Sequence, residues 1–358
     1  MRRIGKAKLA SVFEKISEAG ANGAVFISME PVPDPNIEYI TGFFGMNYGA
    51  MILRENRVAL FVPEMDYDRA LKEASADDII KIEKDGLHAS LLAESRKMDK
   101  AGINKSLFPL SSIEKMKLRP SKVVDIGKAM AMERMIKEPG EIEMIRESAG
   151  ICNRCLKSVR DLLASNGKEN EVAAEIERLM KKYGADKNAF ETIVSTGPKS
   201  AIVHPYPSAA REKISRGVGI VDFGAVRGGY CSDVTTSFVS SSADRKLEKI
   251  SETVVKVWEE VKKNLRPGVP VKELCAIYEN ALKGRGYQVK HSLGHGIGLT
   301  VHEFPSISDS EINLLPGMVF TIEPGVYVED IGGCRIENMV LLKRKGFELL
   351  TKSSLIKT

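Results

Sequence analysis

Four of the five histidines in this 358-residue chain fall in two short stretches, and acids able to share a cation with one of them lie close by. The stretches are Val203-His204-Pro205 and the run from His291 through Gly294-His295-Gly296-Ile297-Gly298 to Val301-His302-Glu303. Around them stand Asp222, Asp233, Glu323-Pro324-Gly325 and Arg335-Ile336-Glu337. Carboxylates gathered at one point repel one another unless cations lie between them, because buried charge must be paired or coordinate metal. The residue types therefore point to metal-assisted chemistry. Structural zinc sites lean on Cys and His. The oxygen-rich set Asp222, Asp233, His295, Glu323 and Glu337 suits instead two divalent ions about 3.5–4 Å apart. Mn²⁺ or Co²⁺ is favoured, with Zn²⁺ and Fe²⁺ as further candidates.

Strand pairing would bring the acids together. If a hairpin turns symmetrically about Arg227-Gly228, Asp222 and Asp233 oppose each other directly, a destabilising like-charge pair that a cation converts to a chelate. Glu323 and Glu337 are centred on Asp330, so an odd-length loop there sets them face to face, with the Pro324-Gly325 corner as a disturbance.

Other motifs carry less. Asp222-Phe223-Gly224 spells a kinase tripeptide without the accompanying loops. Gly294-x-Gly296-x-Gly298 lacks dinucleotide spacing, and His302-Glu303 lacks the second histidine of a zincin helix. Cys152-x-x-Cys155 falls in a stripe (Ile142, Ile145, Ala149, Cys152, Leu156, Val159, Leu163) that reads as helix core. His88 stands apart from every constellation.

The elements that must hold these residues fall into two blocks. Residues 1–127 read as a mixed α/β domain: an amphipathic first helix, a strand at Gly23–Ile27, a hairpin of Ala50–Leu53 and Val58–Val62 turning on 54–57, and a strand at Asp78–Ile82. Helical stretches are expected near 67–75, 87–99 and 110–118. Residues 128–358 repeat one layout twice. Helices at 138–165 and 169–183 precede strands ending in Asp222 and bearing Asp233; helices at 243–264 and 270–283 precede strands bearing Glu323 and Glu337.

A formal net charge of +5, with no basic block, argues against a nucleic-acid surface. The first twenty residues lack a signal-peptide core, and no apolar run spans a membrane, so a cytoplasmic location is expected.

The ordered set Asp222, Asp233, His295 in Gly-His-Gly-Ile-Gly, Glu323 in Thr-Ile-Glu-Pro-Gly, and Glu337 resembles the pita-bread metallopeptidases over about residues 130–358. The leading domain is similar to the N-terminal domain of the creatinase, prolidase and aminopeptidase P branch. The resemblance implies an α/β domain followed by an α+β pita-bread catalytic domain of pseudo-two-fold layout. It implies that Asp222 chelates one metal, that His295 and Glu323 hold the other, and that Asp233 and Glu337 bridge. His204, His291, His302 and Arg335 look like the substrate-side residues of the proline-directed branch, and Glu323 like the proton shuttle. The activity implied is hydrolysis of the bond before proline through a hydroxide bridging two metals, in Xaa-Pro dipeptides, with Arg335 and His302 meeting the free carboxylate. Short connections at 205–210 and 303–309 favour a closed pocket. The alternatives are an aminopeptidase P acting on longer peptides, and an inactive pita-bread binding protein, which would be expected to have lost ligands. A homodimer is implied by the same resemblance. Lys199 and Val203 depart from the family's Gly-Pro-Asn-Ser-Ala-x-Pro-His, and Thr236 from its Asp-x-Thr-Arg.

Overall fold

The computed structural model describes residues 4–358 apart from 56, 84–85, 118–121, 165–166, 207–212, 215–216 and 309. The chain divides into two compact units, Met1–Arg134 and Met135–Thr358. The division falls inside the helix Gly127–Met135, near the point where the sequence reading parts residues 1–127 from 128–358.

In the first unit the described strands are β1 (Gly23–Met29), β2 (Tyr48–Arg54), β3 (Arg57–Val62), β4 (Asp78–Lys81), β5 (Ala101–Ile103) and β6 (Val123–Asp125). They form one sheet in the order β4-β3-β2-β1-β5-β6. Its helices are α1 (Lys6–Glu18), α2 (Pro35–Thr41), α3 (Glu64–Glu73), α4 (Leu87–Ser95), α5 (Leu110–Lys115) and α6 (Gly127–Met135). The hairpin expected at 54–57 is present, with Arg54 paired to Arg57; of its turn, Asn56 lies outside the described residues. His88 is the second residue of α4 and shares a 3.0 Å hydrogen bond with Ser112, a structural contact.

The second unit opens with α7 (Pro139–Ala164) and α8 (Glu169–Lys182). Short β7 (Lys187–Asn188) follows, then β8 (Ile193–Thr196), β9 (Val218–Phe223), β10 (Ala225–Arg227), β11 (Tyr230–Cys231) and β12 (Val234–Val239). Next come α9 (Arg245–Lys262), α10 (Val271–Lys283), β13 (Gly294–Gly296), β14 (Glu303–Ile307), β15 (Val319–Ile322), β16 (Gly325–Val328), β17 (Gly332–Arg335), β18 (Asn338–Leu342), β19 (Phe347–Leu349) and β20 (Ile356–Lys357). The doubled layout is visible in the cores. Ile151, Cys152, Val159 and Leu163 of α7 pack with α8 against Val221, Phe223, Val234 and Phe238 of the β20-β12-β9-β8 sheet. Ile250, Val254, Val257 and Val261 of α9 pack with α10 against Phe320, Val326, Cys334 and Val340. Each side chain so buried contributes about 1.5–3 kcal/mol. Cys152 and Cys155 are core residues, as the helical stripe implies. No helix among the described residues is long and apolar enough to cross a membrane.

Two register expectations met different outcomes. β15 and β18 pair Ile322 with Asn338, and β16 and β17 pair Gly325 with Arg335 and Val328 with Gly332, all centred on Asp330. Glu323 and Glu337 therefore occupy one level of a continuous register, where the chains step between the two sheets. The first hairpin turns one residue later than expected. Arg227 pairs with Tyr230, and Asp222 faces Thr235 rather than Asp233. The reason is the turn: Gly228 and Gly229 both adopt positive φ, 57° and 82°, which a two-residue hairpin turn demands and which arginine resists. The side-chain period of two keeps Asp222 and Asp233 on one face despite the shift.

Candidate metal centre

Strand ends and interruptions carry every acid of the set. Asp222 is the penultimate residue of β9, and Asp233 sits between β11 and β12. Glu323 and Glu337 sit where β15 gives way to β16 and β17 to β18. Their backbones are tied off sideways: Glu323 N–H donates to Leu293 O at 2.8 Å and Glu337 N–H to Thr235 O at 3.0 Å. His295 is the middle residue of β13, flanked by glycines because neighbouring chains leave no room. A Cβ on Gly294 would collide with the Thr321 carbonyl, and one on Gly296 with Phe304 O. The glycine pattern thus serves close strand approach, not a nucleotide.

These elements bring together donor atoms of Asp233, His295 and Glu337, all within 4.8 Å of one another. His295 Nε2 lies 3.6 Å from Asp233 Oδ2 and 3.7 Å from Glu323 Oε1. Its Nδ1 is 3.1 Å from Gly296 O, an acceptor, so Nδ1 carries the proton and the Nε2 lone pair faces the acids. Burial, with a smaller push from His302, lowers the His295 pKa to about 4, so the ring is neutral near pH 7. A lone pair facing two carboxylate oxygens is a repulsive arrangement that a cation would reverse.

The acids carry the same signature. Burial and then the Glu337 charge raise Asp233 well above its ordinary range. Burial and then Glu337 raise Glu323, and burial and then Asp222 raise Glu337 to about 7. Asp222 Oδ1, Asp233 Oδ1 and Glu337 Oε1 are buried with no hydrogen-bond partner. Orphaned acceptors aimed into one cluster fit divalent cations.

The remaining expected residues take distinct places. Arg335 is 1% exposed, and its guanidinium is committed internally. It donates through Nε to Thr235 Oγ1 (3.1 Å), through one terminal nitrogen to Val203 O (3.1 Å) and Tyr327 Oη (2.8 Å), and through the other to Asp222 Oδ2 (2.6 Å). His291 Nδ1 donates to Ser292 O at 2.7 Å, and its Nε2 takes Tyr327 Oη at 3.0 Å. Burial, and then Arg335, hold its pKa down at about 4. His204 and His302 are exposed, and the His302 ring stands edge-on to His295 with centroids 4.3 Å apart.

Thr235 and Tyr327 were missed in the sequence. Thr235 Oγ1 donates to Glu337 Oε2 at 2.8 Å, and Tyr327 links Arg335 to His291. The signal was available in strand parity: Tyr327 shares the face of Glu323, and Thr235 that of Asp233. The departures at 199, 203 and 236 are accommodated. Lys199 pairs with fully buried Glu169, Val203 lends its carbonyl to Arg335, and Thr236 donates to Ser354 O at 2.7 Å. The connection at 205–210 lies largely outside the described residues, as does Asp309.

Residues 143–344 match the model of metallopeptidase family M24, and residues 8–136 that of the creatinase/prolidase N-terminal domain. The Xaa-Pro dipeptidase of Pyrococcus horikoshii is 36% identical over 329 residues, 89% of this chain and 91% of its own. The solved prolidase from Pyrococcus horikoshii matches with TM-score 0.89 at 32% identity, over 98% of this chain and 99% of that one. The solved X-Pro aminopeptidase from Thermotoga maritima matches with TM-score 0.85 at 28% identity, over 96% and 100%. With its acids, its histidine and its two-unit architecture accounted for, this chain belongs to metallopeptidase family M24.

Proposed function

We propose that this chain hydrolyses the peptide bond preceding proline, with Xaa-Pro dipeptides as its preferred substrates. The observation that carries the reading is the gathering of orphaned carboxylate oxygens around the His295 lone pair, in a chain similar along most of its length to an Xaa-Pro dipeptidase. Asp222 would hold one divalent ion and His295 with Glu323 the other, with Asp233 and Glu337 shared between them. Two such ions, Mn²⁺ or Co²⁺ by the oxygen-rich ligand set, would supply a nucleophile from water near neutral pH and polarise the scissile carbonyl.

The chain's own residues do the rest. Glu323, whose side chain is 14% exposed against 7% for Asp233, would pass a proton to the leaving nitrogen. His204, exposed and beside the site, is the donor left for the substrate carbonyl, since both ring nitrogens of His291 are engaged. Four of the five Arg335 N–H groups are spent within the protein. Arg335 therefore orders the acids, and the carboxylate of a dipeptide falls to His302. Five buried thiols support a reducing, cytoplasmic setting. A homodimer is expected; sedimentation showing only a 39.3 kDa species would contradict that.

The test of substrate class compares kcat/KM for Leu-Pro with Leu-Pro extended by one to three residues. Preference for Leu-Pro is expected. Preference for the extended peptides would assign aminopeptidase activity instead, and turnover confined to bonds not followed by proline would reject the reading.

A further inference from the structure

Lys137 and Glu303 form an ion pair whose side chains are 1% and 4% exposed, Nζ to Oε2 2.7 Å. A buried pair of this kind adds little stability over an apolar replacement, because desolvation offsets the attraction. Its position has a different use. Glu303 directly follows His302, and its second oxygen accepts from Thr300 N–H at 3.2 Å. Thr300 Oγ1 in turn donates to the His302 carbonyl at 2.9 Å. Gly298 closes the loop: its N–H donates to Thr300 O at 3.1 Å, and its carbonyl accepts from Cys231 N–H at 2.7 Å. A Cβ on Gly298 would sit 2.6 Å from Glu303 Oε2 and 2.8 Å from Lys137 Nζ, so the loop lies directly on the pair. Lys137 is fixed from the other side, its N–H donating to Gly317 O at 2.9 Å, beside the bridge of Ile136 with Met318. Buried Glu141 stands by the same pair, held by Tyr230 Oη at 3.1 Å.

We propose that the Lys137–Glu303 pair is a positioning device for His302. It clamps the 298–303 loop from beneath, so that an exposed imidazole is held edge-on against His295 at the mouth of the acid cluster. Neither charged group touches substrate; both act through the loop. The inference rests on the reading that His302 meets the substrate.

The test uses the full chain, with His302→Ala as control. Lys137→Met/Glu303→Leu removes both charges and the acceptor for Thr300. Lys137→Met/Glu303→Gln removes the charges but keeps a carbonyl oxygen for that N–H. Thr300→Val and Thr300→Ser separate loss of the hydroxyl from loss of bulk. On Leu-Pro, the Met/Leu double variant is expected to raise KM about tenfold with kcat changed less than about threefold. Its Tm and bound-metal content should stay at the parent's. The Met/Gln double variant should recover only part of the KM, because it restores the acceptor for Thr300 N–H but not the ion pair. Thr300→Val should raise KM severalfold, and Thr300→Ser should match the parent. The His302 ring ¹H–¹⁵N signals, read on metal-free protein, should move most in the Met/Leu variant, less in Met/Gln and Thr300→Val, and not in Thr300→Ser. That readout stands whether or not the parent cleaves Leu-Pro. An unmoved ring signal in the Met/Leu variant would overturn the inference; should that variant fail to fold, an unmoved signal in the Met/Gln variant would overturn it. Parental KM in both disruptive variants beside an impaired His302→Ala would overturn it too, while leaving the function reading intact. Parental KM in His302→Ala would remove that histidine's role and the inference with it.

Discussion

Two hairpins deliver the acids, and they differ in how the protein compensates charge. The ribbon of Gly325–Val328 and Gly332–Arg335 turns on the three residues 329–331, with Asp330 at φ 60°, and its register runs unbroken past Glu323 and Glu337. The hairpin of Ala225–Arg227 and Tyr230–Cys231 turns on two glycines, and the resulting register places Asp222 and Asp233 diagonally. Each has one orphaned oxygen, but the other oxygen of Asp222 lies against the Arg335 fork, whereas Asp233 has mainly acids for neighbours. One carboxylate of the cluster is thus neutralised by a built-in cation, and the others await protons or metal.

The largest effect should come from the uncompensated side. Glu337→Gln is expected to lower kcat/KM at least about a thousandfold, since it removes a group that acts with the whole ligand set. His88→Gln, in the other unit, should leave it near the parent's. Similar kinetics in both variants would dissolve the distinction.

Arg335→Met probes the compensated side. It strands Asp222 without its partner, and unfolding by denaturant should show a loss of about 3–5 kcal/mol in metal-free protein. Arg335→Lys keeps the charge without the fork and should lose less. Under the same conditions Glu337→Gln should cost nothing or stabilise.

The acidity of Glu337 gives the comparison a pH dependence. Its folded pKa is about 7 against an ordinary 4.5, raised by burial and then by Asp222. The folded state therefore holds the proton more tightly. That contribution is fully present below about pH 4.5 and is lost as pH rises through about 7, by about 3 kcal/mol. Metal-free protein should lose stability over that window, while saturating divalent ion should reverse the trend, because binding releases protons. Equal pH profiles with and without metal would contradict both halves.

The smallest effect concerns the turn. Gly228→Ala forces an L-residue to positive φ and should cost about 1 kcal/mol. It should leave kcat/KM unchanged, because Asp222 and Asp233 keep their face.

These differences also mark what the sequence could disclose. The acids and the histidine that the fold gathers were legible in residue type and order, and the Glu323–Glu337 level in symmetry about Asp330. The first hairpin was misread by one residue because arginine was placed in a turn that needed two glycines. The commitment of Arg335 was not legible. Its partners Asp222, Val203 and Thr235 come from segments about a hundred or more residues away, so only the tertiary fold decides whether the guanidinium faces substrate or the protein. Lys137 and Glu303, 166 positions apart, are hidden for the same reason.

The central claim is that Asp222, Asp233, His295, Glu323 and Glu337 form one dinuclear centre. Titration of chelator-treated protein with Mn²⁺, read as bound metal per chain alongside Leu-Pro turnover, tests it most directly. Turnover is expected to be absent without metal and to return as about two ions bind per chain, with Glu337→Gln failing to reach that stoichiometry. Full turnover in metal-free protein, or two ions bound undiminished in Glu337→Gln, would contradict it.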